Sequence, residues 1–249
     1  MDIVTSLVAS RLTAQQRALD VTANNIANAN TPGYRTERML FSDWIDRQAG
    51  TSSGNATGDR TVIYTQDRAT WRENQPGTLT HTSNPFDLAL TGDGYFTVNT
   101  KNGPRLTRDG RFGLMPDGTL ADAAGNAVLN TSGRPILLAP EDTNVSIAAD
   151  GSVSSTNGQL GKIGVVVPNN ARQLSAEGAT HLVSNAPTAA ASNPGIVQGA
   201  IEDSNVQPVL ELMRMTDNAQ QFQLLTQFVQ AEADRHQAVI DKILPQGGS

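Results

Sequence analysis

Ten residues near the C-terminus, Leu212, Met215, Ala219, Phe222, Thr226, Val229, Ala233, His236, Ile240 and Ile243, are spaced alternately three and four apart, and eight of them are apolar. That is the heptad seam a helix needs to lie along another helix. It predicts a C-terminal helix, capped by Ser204 or Asn205 with Pro208 in its first turn and stopped at Pro245, giving roughly 60 Å of rod.

The other end carries a second amphipathic pattern. Val4, Leu7, Val8, Leu12, Leu19 and Ile26 fall on one helical face, interrupted by Arg11, Gln15 and Thr22. Thr31-Pro32-Gly33 supplies a breaker and a left-handed stop, so this helix should end near Asn30. Asn24, Asn25, Asn28 and Asn30 crowd its last turns, where asparagine is a poor helix former. Two readings stand for Asn25 and Asn28: amides that pair across a helix interface and set its register, or fraying into a turn.

Between the ends the pattern changes to turns and short strands. Asp93-Gly94, Asn102-Gly103, Asp109-Gly110, Asp117-Gly118, Asp150-Gly151 and Asn157-Gly158 meet the positive-φ demand of tight hairpins. Strand-like runs lie among them at 86–90, 95–98, 111–115, 145–148 and 163–167. The Ser, Thr, Ala and Asn-rich stretch 184–194 reads as a loop. The fold class expected is α+β: long N- and C-terminal helices forming a coiled-coil-like bundle, with a central all-β, hairpin-rich domain. Its divisions are an N-terminal amphipathic helix over 1–35, a connector over 36–75 with a flexible loop at 48–59, a β-rich domain over 76–203, and the C-terminal helix over 204–249.

Composition narrows the function. A formal charge of −6 disfavours nucleic acid, since phosphate binding wants a basic face. Lys101, Arg105, Arg108 and Arg111 read as a solvated hairpin surface. The chain has no cysteine, hence no disulfide, no thiolate metal site and no thiol nucleophile. His81, His181 and His236 are far apart, and His236 occupies a seam position. Nucleotide-binding, zinc-protease and hydrolase signatures are missing, and turn chemistry accounts for the Asp-Gly aspartates without calcium. The expectation is of no cofactor, no metal and no small-molecule substrate, with no residue singled out for catalysis, while a pair of carboxylates of glycosidase type stays open. No secretory signal peptide is expected from the first residues, and no apolar run is long enough for a transmembrane helix.

Four motifs carry a resemblance. They are Ala23–Tyr34 (ANNIANANTPGY), Asn84–Leu90 running into Gly92–Phe96, Leu106–Phe112 with Asp117–Leu120, and Gln198–Val206 (QGAIEDSNV). In this order they resemble the flagellar rod and hook proteins of bacteria, and Gln66–Trp71 is similar to the proximal rod members. The resemblance implies a structural protein without catalytic residues, whose terminal helices form an inner tube and whose β domain forms an outer shell. It implies assembly with copies of itself and with other flagellar rod subunits. It also implies passage as an unfolded chain through the flagellar type III export apparatus to the periplasm-spanning rod of the basal body, without a cleaved signal peptide. The alternatives are a distal rod or hook-type subunit, or a carbohydrate-binding or enzymatic β domain with helical oligomerisation tails.

Overall fold

The computed structural model describes residues 3–48, 60–170 and 173–243, with side-chain environments for 8–40, 70–170 and 173–239. The chain is α+β, with a helix at each end and a β-rich middle. It divides into two compact units. The loop expected at 48–59 lies outside the described residues apart from Gln48, as does the helix stop at Pro245.

The first unit contains residues 1–26, 37–71 and 208–249. It holds most of α1 (Ile3–Ala27), a two-stranded pair formed by Glu37–Gln48 and Arg60–Arg72, and α2 (Pro208–Ile243). The connector expected over 36–75 thus carries two long strands. Gln15 of α1 donates from Nε2 to the Asn218 carbonyl and side-chain oxygen of α2, both at 3.0 Å. Asn25, further along α1, meets Glu211, earlier in α2, at 3.2 Å. The two helices therefore run antiparallel.

α2 begins at Pro208, where a missing amide costs nothing because the first-turn donors are unpaired. Neither cap expected from the sequence serves. Asn205 Oδ1 instead accepts from the amide and hydroxyl of Thr36, both at 2.7 Å, while its Nδ2 donates to the Gln75 carbonyl at 2.9 Å. Ser204 Oγ closes a local turn with the Val206 amide at 3.2 Å.

The second unit contains residues 27–36 and 72–207. Its strand pairings are antiparallel throughout the described residues. The central hairpin pairs Tyr95–Thr100 with Gly103–Thr107, and Leu174–Glu177 and His181–Ser184 extend the sheet beyond it. Four of the six turn dipeptides close hairpins, at Asn102-Gly103, Asp117-Gly118, Asp150-Gly151 and Asn157-Gly158, each with its glycine at positive φ. The other two do not. Leu88–Leu90, which precedes Asp93-Gly94, pairs with Ile196–Gln198 rather than with the strand that follows it. Gly110 is there for space, since a Cβ would lie 1.6 Å from the Leu88 carbonyl oxygen. The stretch read as a loop contains the strand Thr188–Ala190, which pairs with Val165–Pro168.

Alternation along these strands places Leu88, Phe96, Val98, Leu120, Val128 and Ile163 in one core. Phe96 and Phe112 meet edge-to-face at 5.2 Å. Aromatic pairs prefer that geometry because the electropositive edge of one ring faces the electronegative face of the other.

Candidate functional site: a buried charge anchor and an exposed helix face

Within the second unit residues of all four sequence motifs gather around Glu202, with Arg35 one position beyond the first motif. Glu202 lies in the strand Ala200–Glu202 and is 1% exposed. Its Oε1 accepts from Arg35 Nη2 and from the Gly77 amide, both at 3.2 Å, and its Oε2 accepts from Arg108 Nη1 at 3.0 Å. Arg108 also donates to the carbonyls of Leu90 and Gly92 at 3.3 and 2.8 Å. Both guanidiniums approach the Tyr95 ring, at 5.9 Å for Arg35 and 5.3 Å for Arg108. Burial depresses the Arg108 pKa, and the like charge of Arg35 adds to this against the opposing pull of Glu202.

The backbone is fitted to the same point. The Gly33 amide donates to the Glu202 carbonyl at 2.7 Å. Gly33 has φ of +70°, and a Cβ there would lie 2.3 Å from backbone atoms of Arg108 and Asp109. Only glycine gives both the turn and the close approach.

The sequence reading missed this cluster and placed Arg108 on a solvated surface. Arg108 is 3% exposed. Arg111, three residues on, does sit at the surface, forked onto Asp109 through Nε and Nη2 at 3.0 and 2.8 Å. One sequence cue was available. Ala200 and Glu202 share a strand face, and a face that buries alanine also takes the glutamate inward.

The first unit has its own buried carboxylate. Glu211 in the first turn of α2 is 1% exposed and accepts from Arg38 Nη1 at 2.7 Å, Arg214 Nη1 at 2.6 Å and Asn25 Nδ2 at 3.2 Å. Burial pushes the carboxyl up, but the hydrogen bonds from Arg38 and Asn25 outweigh it and hold the pKa below the ordinary range. Asn25 completes the joint by exchanging hydrogen bonds with the backbone of Glu37, accepting at 2.9 Å and donating at 3.0 Å. Its cross-helix bond is thus made within one chain. Asn28 lies in the following turn and accepts from Thr31 Oγ1 at 3.2 Å.

The helix-face residues separate into covered and open rows. On α1, Val8 is buried and Leu12, Leu19 and Ile26 are half-buried, while the side chains of Val4 and Leu7 lie outside the described residues. On α2, Ala219, Phe222 and Val229 are half-buried, whereas Leu212, Met215, Thr226, Ala233 and His236 are exposed. The side chains of Ile240 and Ile243 lie outside the described residues. The row of α2 that is covered runs through Glu211, Arg214, Asn218, Phe222, Leu225 and Val229. It leans one residue away from the predicted seam and leaves Leu212, Leu224, Phe228 and Val239 at 59%, 65%, 50% and 49% exposure. Among the described residues no cluster of acidic, histidine or cysteine side chains could hold a metal, and no helix is long and apolar enough to cross a membrane.

Three family models match along the chain: "Flagella basal body rod protein" over residues 8–35, "Flagellar hook protein FlgE/F/G D1 domain" over 89–155, and "Flagellar basal body rod FlgEFG protein C-terminal" over 197–242. The rod protein FlgF of Mesorhizobium japonicum is 35% identical over 205 residues, 81% of each chain. That of Caulobacter vibrioides is 32% identical over 237 residues, 94% of this chain and 95% of its own. The chain belongs to the flagellar basal-body rod proteins. It is FlgF-like, and the rod protein FlgG of Bacillus subtilis is also similar, at 31% identity over 80% of this chain and 83% of its own. As a member of this family the protein is a structural subunit of the rod, associated with other rod components in the flagellar basal body. The first and last matched segments contain Arg35 and Glu202, and the middle one contains Arg108, so the buried anchor draws on all three.

Proposed function

We propose that the protein assembles helically with copies of itself and other rod subunits by packing its terminal helices into a coiled-coil-like bundle, which carries torque along the rod. The observation that supports this most is the set of large apolar side chains left open on α2. Leu212, Leu224, Phe228 and Val239 lie about half exposed or more, spread over the faces of the helix outside the row its own chain covers. Large apolar side chains in water have a standing free-energy gain of about 25 cal/mol for each Å2 a neighbour covers. A contact repeated by a rotation that does not close yields a filament. The predicted interface residues that remain open, Leu212 and Met215 among them, are those a neighbouring copy would cover.

Delivery through the flagellar type III export apparatus as an unfolded chain, without a cleaved signal peptide, accords with a sequence that contains no cysteine and therefore no disulfide to undo before threading. The test of assembly is Leu212→Asp, at a site 59% exposed. The purified variant should melt like the parent, because nothing within the chain covers this side chain fully. A strain carrying it as its only copy should fail to build complete rods and should not swim. Normal motility of that strain would overturn the proposal.

A further inference from the structure

The anchor around Glu202 is not electrically balanced. Arg35 and Arg108 are 5% and 3% exposed, Glu202 is 1% exposed, and the three together leave one net positive charge buried. Isolated buried charge is costly, so native structures pair it. The hydrogen bonds tell the same story. A guanidinium has five N–H donors. Among the described residues Arg35 places one of them on protein, through Nη2 on Glu202, and the buried Nε atoms of both arginines have no partner. Burial and the neighbouring guanidinium both weigh against the charged form of Arg108.

Beside these two side chains lies a cavity of about 100 Å3, lined by Arg35, Arg108, Tyr95, Asp93, Asn74 and Val167 among others. By that measure one water needs only about 10–15 Å3, so the cavity has room for a carboxylate group. Asp93 is exposed, and among the described residues no ion pair joins it to either arginine. Among the described residues no direct ion pair from the wall therefore supplies the missing counter-charge.

We propose that this cavity is an anion site for one carboxylate group, held by Arg35 and Arg108 over the Tyr95 ring. Guanidinium is suited to it because its planar fork matches a carboxylate with two parallel hydrogen bonds. The group can come from a free small carboxylate or from an acidic side chain of another copy. The site itself does not depend on the assembly reading, because all its walls belong to one unit of one chain.

The test uses the full-length monomer with acetate as the probe. The side-chain Nε–H resonances of Arg35 and Arg108 are followed while sodium acetate replaces sodium chloride at constant ionic strength. A saturable movement of both, with a rise in melting temperature that chloride does not give, is expected. Asn74→Asp hangs a near-isosteric carboxylate on the cavity wall. It should raise the melting temperature in chloride and abolish the acetate response. Resonances that ignore acetate, as a cavity filled by water alone would give, overturn the proposal, as does a full acetate response in Asn74→Asp. Repeating the titration on assembled filaments identifies the source. Loss of the response on assembly assigns the site to another copy's acid side chain, and retention assigns it to a free anion.

Discussion

A carboxylate with almost no exposure is an expensive choice for a strand, and Glu202 is tolerable only because two guanidiniums and the Gly77 amide meet it. The same dependence makes it fragile. Glu202→Gln keeps the shape but leaves Arg35 and Arg108 without a counter-charge, and breaking a buried pair in this way costs about 3–5 kcal/mol. Urea denaturation should show a loss of that size for the β-rich unit, and a change under 1 kcal/mol would mean that the cluster is not the anchor described. Glu211 behaves differently because its pKa is lowered in the fold. The unfolded chain, with its glutamate near the ordinary 4.5, takes up the proton first as pH falls. The stability contributed by Glu211 is therefore complete above that value and is lost as pH drops through the lower, folded one. A melting series from pH 7 to pH 3 should be flatter below about pH 4.5 in Glu211→Gln than in the parent. Parallel curves would remove Glu211 from the acid response.

At the scale of single elements, much was legible. Seam spacing located α2, the Thr31-Pro32-Gly33 stop located the end of α1 within a few residues, and the dipeptides Asn102-Gly103 and Asp150-Gly151 marked real hairpins. What spacing could not supply was which side of α2 its own chain would cover. The predicted seam follows apolar residues, whereas the covered row includes Arg214 and Asn218, chosen by what they bond to, such as Gln15 across from Asn218. Phe222 and Val229 belong to both rows, so the two differ by a small rotation about the helix axis. This difference predicts opposite consequences for two phenylalanines six residues apart. Phe222→Ala, at a half-buried site, should destabilise the monomer by about 1–3 kcal/mol, less than the full cost of emptying a closed core. Phe228→Ala, at a site 50% exposed, should change monomer stability by no more than about 0.5 kcal/mol yet weaken assembly. Chemical denaturation and sedimentation separate the two effects, and equal loss of monomer stability in both would show that the rows are misassigned.

For the molecule as a whole, the internal build of each unit was not legible in local patterns, because it rests on partners distant in sequence. Arg35 and Glu202 are 167 positions apart, and Asn25 and Glu211 are 186 apart. Residues 27–36 belong to the β-rich unit, yet the chain leaves it for the strand pair and returns at 72 before completing it. No periodicity records such a detour. Its energetic consequence is a difference in local stability. The strands Tyr95–Thr100 and Gly103–Thr107 contribute Phe96, Val98 and Leu106 to closed cores and are hydrogen-bonded on both sides. The later turns of α2, from Ala233 to Val239, are exposed at every position. Helices derive most of their stability from burying a face, so these turns should open at far lower free energy than the sheet. Amide exchange on a proven monomer should therefore be fast over 233–239 and slow over 95–107, with the helix amides slowing by orders of magnitude once filaments form. Protection of 233–239 in the monomer equal to that of the central hairpin would contradict this, since the helix would then hold its shape without any neighbour to cover it.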